Sequence, residues 1–144
     1  MTPETRATVR VTRRFDASPE RVFDAWLAPQ KARKFLFATP SGEMVRAEID
    51  PRVGGSFLFV DRRDGVDVDH TGEYLEIDRP RRLAFTFSVP LYSAEITHVF
   101  IEIVPLDGGC ELTLTHTGVL ADWESRTRAG WGSILEQLNA TQLG

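Results

Sequence analysis

The sequence predicts an α+β domain, an antiparallel sheet with its helices gathered at one face. Three observations carry this. From Val45 to His116 apolar residues alternate in short runs separated by Gly, Pro and Asp turn signals. Ser18-Pro19 announces a helix ahead of that series, and after Gly118 the apolar spacing turns helical. Consecutive hairpins imply antiparallel pairing with segregated helices.

In chain order, Thr8 to Phe15 alternates, with Val9, Val11 and Phe15 on one side and Thr8, Arg10, Thr12 and Arg14 on the other. Ser18 is a helix N-cap and Pro19 the first helical residue. Val22 with Trp26, and Phe23 with Leu27, make i, i+4 pairs on one helix face. Pro29 limits this helix, and a short second one is expected over Gln30 to Leu36. The apolar cluster Phe35-Leu36-Phe37 ends at Thr39-Pro40-Ser41-Gly42. Strands then follow around Val45, Ala47 and Ile49, and around Phe57 and Phe59 after Gly54-Gly55. Asp64-Gly65 signals a hairpin turn. Further strands run from Val68 to Ile77, from Leu83 through Phe85 and Phe87 to Val89, from Glu95 to Val104, and from Cys110 to His116. Trp123, Trp131, Ile134, Leu135 and Leu138 form the stripe of a C-terminal helix.

At 144 residues and 16.2 kDa the chain reads as one domain, residues 1–144. A chain of this size buries enough surface to need no covalent staples. The net charge of −4 argues against a nucleic-acid binder, which usually carries a basic footprint. A single cysteine, Cys110, excludes an internal disulfide and a Cys-rich zinc site, and suggests a reducing, cytoplasmic compartment. No apolar stretch reaches the length of a membrane span, and Met1 to Phe15 has no signal-peptide core.

Motifs for chemistry are sparse. There is no nucleophile elbow, P-loop, dinucleotide fingerprint or H-E-x-x-H. His70, His98 and His116 fall on different strands and make no short-range metal motif, so no metal and no cofactor are expected. The acidic run Asp61 to Asp69 lacks the spacing of a calcium loop and reads as a solvated hairpin tip. The pairs Arg13-Arg14, Arg62-Arg63 and Arg81-Arg82 read as solvated strand ends, with a patch for an anionic partner as the alternative. His116 shares the inward parity of Leu112 and Leu114, as a core polar group, a ligand contact or an acid/base. Cys110 has no basic neighbour in sequence and reads as inert. Gly130 and Gly132 flank Trp131 inside the last helix, at a cost of about 1 kcal/mol each. Close approach of that helix to the sheet is the expected compensation, with a helix break or a direct ligand role as the alternatives. Phe57, Phe59, Phe85, Phe87 and Trp131 all face inward, where they either wall a small-molecule cavity or fill the core.

Several segments together resemble a known family. Asp50-Pro51-Arg52-Val53-Gly54-Gly55 looks like a D-x-R-x-G-G signature, and Gly72-Glu73-Tyr74-Leu75-Glu76-Ile77 with Pro80 and Leu83 like the block after it. Leu112 to Gly118 resembles an L-T-L-T-H-x-G strand exit, and Gly130-Trp131 with Leu135 and Leu138 a G-W-x-x-x-L-x-x-L helix. With Ala17 to Trp26, these resemble the bacterial single-domain Hsp90-ATPase-activator-homologue-like family of the START-like (SRPBCC) superfamily, over Thr8 to Leu138. The resemblance implies a helix-grip fold like that of Bet v 1, a curved antiparallel sheet wrapped around a long C-terminal helix with a cavity between them. The candidate lining is Phe35, Phe57, Phe59, Tyr74, Phe85, Phe87, Leu112, Leu114, His116, Trp131 and Leu135.

Three functions are then open. The first is a carrier or sensor of a small apolar or amphipathic molecule. The second is a cyclase-, aromatase- or hydrolase-like enzyme with His116, Tyr74 or Glu76 as acid/base. The parity near Gly72 leaves open whether Tyr74 and Glu76 or Leu75 and Ile77 face inward. The third is a co-chaperone-like interaction module. Outward-facing Ile96 and Phe100 also suggest a possible homodimer. A fold alone does not choose among these.

Overall fold

Alternating side chains produce seven strands among the described residues: β1 (Arg6–Phe15), β2 (Glu43–Ile49), β3 (Ser56–Arg63), β4 (Val66–Asp78), β5 (Arg82–Phe87), β6 (Thr97–Leu106) and β7 (Gly109–Leu120). They form one antiparallel sheet in the order β1-β7-β6-β5-β4-β3-β2. Strands β2 to β7 follow one another as hairpins, and β1 closes onto β7. The helices are α1 (Pro19–Leu27), α2 (Pro29–Ala32) and α3 (Glu124–Leu138). The computed structural model describes residues 6–37, 42–92 and 95–143. Helix α3 lies over β1 and β7, which is the helix-grip arrangement.

Local chemistry accounts for most boundaries. The Ser18 hydroxyl accepts a hydrogen bond from the Arg21 N–H at 3.2 Å, the N-cap that the sequence announces. Helix α1 buries Val22, Phe23, Ala25 and Trp26. Asp64 and Gly65 have φ of 51° and 78°, the left-handed pair that a two-residue hairpin turn requires. Helix α3 buries Trp131, Leu135 and Leu138, residues spaced four and three apart. On β6, Val99, Ile101 and Ile103 face the core, while Ile96, one residue before the strand, is 65% exposed.

Other expectations are corrected. Helix α2 ends at Ala32 instead of Leu36, and the chain turns so that Phe35, Leu36 and Phe37 are all buried. Of the turn signal that follows, residues 39–41 lie outside the described residues. Val45 does not share a face with Ala47: a bulge between Met44 and Arg46 turns it outward, 37% exposed, and Met44 packs inward instead. Strand β5 stops at Phe87, so Val89 is not in the sheet, although Ser88 still bridges to Thr71. Strand β7 runs past Gly118 to Leu120. Trp123 lies in a short 3-10 turn, 42% exposed, outside the helical stripe.

Around Gly72, neither of the two parities holds. The register shifts between Tyr74 and Glu76, so Tyr74 is buried, Leu75 is 43% exposed and Ile77 packs against the core. Gly72 itself is a close-approach site, where a Cβ would overlap the Thr86 carbonyl and the Phe57 ring. The glycines of α3 are the opposite case. The helix is unbroken, and a Cβ on Gly130 or Gly132 would meet nothing within 4 Å. Close packing therefore does not compensate these residues, which face open space.

A cavity between the sheet and the last helix

Between the sheet and α3 lies a cavity of about 700 Å³, open to solvent along the exposed Ala129, Gly130, Ser133 and Gln137, and within the usual range for small-molecule sites. Helix α3 contributes Thr127, Gly130, Ile134 and Gln137, a stripe spaced three, four and three residues apart beside its buried face, together with Ala129, Trp131 and Ser133. The sheet contributes Arg63, His70, Phe87 and His116, and the turn after α2 contributes Lys34, Phe35 and Phe37. A smaller cavity of about 220 Å³ adjoins it, and Phe87, His116 and Thr127 belong to the walls of both.

Four of the eleven sequence-derived lining candidates border the larger cavity: Phe35, Phe87, His116 and Trp131. The other seven are buried in packed core. Phe57 meets Phe59 edge-on at 6.0 Å, Phe85 edge-on at 5.4 Å and Tyr74 at 5.7 Å, so these four rings fill their own space. Leu112, Leu114 and Leu135 are fully buried in the core. Burial raises the Tyr74 phenol above its usual range, as burial does for the Cys110 thiol. Glu76 is half-exposed and faces Arg82 at 3.6 Å.

His116 is wired in one direction. Trp131 Nε1–H can only donate, and it lies 3.0 Å from His116 Nδ1. Nδ1 is therefore the acceptor, and the proton of the neutral ring sits on Nε2. That nitrogen is 2.6 Å from Thr97 Oγ1, which in turn donates to the Phe87 carbonyl at 3.1 Å. The chain of donors thus runs from Trp131 through His116 and Thr97 to the backbone. Burial holds His116 neutral, its pKa pushed down to about 4. Protonation at Nδ1 would set two donors against each other, so the ring is a fixed polar wall and not a free base.

Sequence reasoning passed over Phe37, His70, Arg63 and Lys34. Phe37 stacks on His70 at 4.7 Å and on Phe87 at 5.0 Å, and meets Trp131 edge-on at 5.9 Å. It does so with φ at 62°, the left-handed region that a bulky side chain rarely adopts. His70 donates from Nδ1 to the Phe59 carbonyl at 3.4 Å, and burial, reinforced by the Arg63 charge, pushes its pKa down to about 4. Asp61, fully buried at the start of the acidic run, accepts from Arg63 Nε at 2.7 Å, so this part of the run is not solvated. The rest does face solvent, with Arg62 and Asp67 paired across the hairpin at 2.7 Å. The third histidine, His98, stacks on Phe100 at 6.4 Å, away from His70 and His116. Among the described residues no three His, Cys, Asp or Glu side chains are placed to hold a metal ion. No helix among them is long and apolar enough to cross a membrane.

An antiparallel sheet gripping a long C-terminal helix, with a cavity between them, defines a helix-grip domain. The model of the family described as activator of Hsp90 ATPase homolog 1-like protein matches residues 16–142, and the chain belongs to that family. A crystal structure of a protein from Chromobacterium violaceum is similar, with 27% identity and a TM-score of 0.87 over 95% of this chain and 97% of that one. A protein from Rhizobium leguminosarum shares the fold at 22% identity and a TM-score of 0.83, over 97% and 96% of the two chains. The AHSA1-like protein from Aeromonas hydrophila, solved by NMR, shares it at 20% identity and a TM-score of 0.81, over 94% and 91%. No curated protein matches the chain.

Proposed function

We propose that this protein binds a small, largely apolar molecule in the cavity beneath α3 and acts as a carrier or sensor. The observation that carries this reading is the cavity itself, about 700 Å³ between sheet and helix, walled by Phe35, Phe37, Phe87, Trp131 and Ile134. Apolar walls with a few placed polar groups are the usual form of such a site. The positions of the acid/base candidates favour binding over turnover. His116 is locked as an acceptor from Trp131, Tyr74 lies among core rings, and Glu76 faces Arg82 away from the cavity wall. A homodimer formed through the outer face of β6, around Ile96 and Phe100, remains part of the proposal.

The test is titration with phenylnaphthylamine, an uncharged dye that brightens in apolar surroundings. Saturable binding at one site per chain is expected, and Gly130→Phe should abolish it. Gly130 lines the cavity, and a Cβ there meets nothing within 4 Å, so the variant adds a ring at the wall without a clash. No saturable binding, or binding unchanged in Gly130→Phe, would overturn the reading.

A further inference from the structure

The charge on the cavity wall is opposite to that of the chain. The protein carries 21 acidic and 17 basic residues, yet its cavity is lined by Lys34 and Arg63 with no Asp or Glu. The two histidines of the wall are buried and neutral, so these cations are its formal charges.

Both cations belong to the end of the cavity formed by the turn after α2. Arg63 NH2 reaches the Phe37 carbonyl at 3.5 Å, three residues along the chain from Lys34. Arg63 is held there by Asp61, which accepts from Nε and lies behind the cavity wall with its side chain 1% exposed. This pairing fixes Nε, while NH2 reaches the Phe37 carbonyl, and both Arg63 and Phe37 line the cavity. Lys34 is exposed, and among the described residues it has no ion-pair partner. Next to these charges stand flat surfaces: Phe35, Phe37, Phe87 and Trp131. Thr127, Ser133 and Gln137 line the helix side with hydrogen-bonding groups that carry no charge.

We infer that the ligand of this cavity is an aromatic monoanion, a carboxylate or sulfonate on a ring system. Its charged group sits at Lys34 and Arg63, and its rings lie against Phe35, Phe87 and Trp131. The inference rests on the cavity-binding reading above and deepens it. An uncharged ligand would leave the lysine without a counter-charge at the cavity mouth. A ligand cation would face like charge there, with no carboxylate on the wall to receive it. Arginine offers planar, two-pronged donation to a carboxylate or sulfonate, and lysine a mobile point charge.

The experiment compares two dyes with one ring skeleton: phenylnaphthylamine, which is neutral, and anilinonaphthalene sulfonate, which adds one negative charge. Each is titrated into the unaltered 144-residue chain, Gly130→Phe and Lys34→Glu. The expected result is about tenfold tighter binding of the sulfonate to the wild type, a preference worth about 1.4 kcal/mol. Lys34→Glu should remove or reverse that preference while phenylnaphthylamine still binds. Because Lys34 is exposed and has no described ion-pair partner, this variant keeps the fold, and its circular dichroism and melting should match the wild type. Arg63 is left intact, since removing it would strip the buried Asp61 of its guanidinium. Equal affinity for the two dyes, or a sulfonate preference that survives Lys34→Glu, overturns the anion inference and leaves the cavity reading standing. Failure of both dyes to bind, or binding that survives Gly130→Phe, overturns both.

Discussion

The indole nitrogen of Trp131 donates to Nδ1 of His116 across 3.0 Å, and this contact joins α3 to β7 at the wall shared by the two cavities. It sets the tautomer of the histidine and orients the rings that face the ligand space. It also turns a residue that resembles a general base into a structural acceptor.

His116 is therefore expected to be neutral and protonated on Nε2 at pH 7. Nitrogen chemical shifts of the ring, read through its carbon-bound protons, report this directly. A proton on Nδ1 would contradict the donor chain. Thr97→Val removes the oxygen that receives the Nε2 proton and leaves that donor buried, at an expected cost of about 1–3 kcal/mol in urea unfolding. A cost near zero would mean that the hydroxyl is not part of the chain.

Stability should fall in mild acid for a reason that lies in the cavity wall. His70 and His116 titrate near 6.5 when unfolded and near 4 when folded, because burial disfavours the charged ring. Above pH 6.5 both states are neutral and stability is full. Between pH 6.5 and 4 the unfolded chain takes up protons that the folded one refuses, so stability is lost with each step down. The loss approaches about 3 kcal/mol per histidine by pH 4. Denaturant melts at four pH values in this window check the slope. His70→Asn and His116→Asn should each flatten it, and an unchanged slope in both variants would place the acid sensitivity elsewhere.

Glycine substitutions should divide by location. Gly72→Ala drives a methyl group into the Thr86 carbonyl and the Phe57 ring, both held by the sheet, and should cost several times the ordinary helix or strand penalty. Gly132→Ala places the same methyl in open space within α3 and should stabilise the protein by about 1 kcal/mol. Thermal melts of the two variants suffice, and destabilisation by Gly132→Ala would indicate a neighbour at that position.

Legibility in the sequence follows from how local each determinant is. The strands around Phe57, Leu83 and Leu112, the Ser18 cap and the Asp64-Gly65 turn depend on neighbours in sequence, and the pattern displays them. Parity fails at Val45, and stays open at Tyr74 and Leu75, because one extra residue in a ladder reverses every side chain after it and the sequence does not say where that residue falls. The cavity was legible only in part. Phe57 and Phe87 carry the same inward signature, yet Phe57 is enclosed by other rings and Phe87 faces empty space. The difference lies in where α3 and the Phe35–Phe37 turn cover the sheet, a tertiary fact. Arg63 looks like a hairpin-tip charge, and becomes a wall residue because buried Asp61 holds it inward.

That distinction between wall and core makes a final prediction. Phe37 and Phe59 are both buried phenylalanines, and their rings meet edge-on at 5.6 Å. Phe37 borders the cavity and Phe59 does not. Truncation of either to Ala should cost about 3–5 kcal/mol. The binding consequences should differ. Phe37→Ala merges the lost ring volume with the ligand space, so larger aromatic probes should gain affinity relative to phenylnaphthylamine. Phe59→Ala leaves its void behind the wall, so relative affinities should hold. Unfolding curves first establish that both variants are folded at the temperature used, and dye titrations then compare the two. If Phe59→Ala changes probe preference and Phe37→Ala does not, the wall has been drawn on the wrong residue, and the ligand space lies deeper in the sheet than the turn after α2.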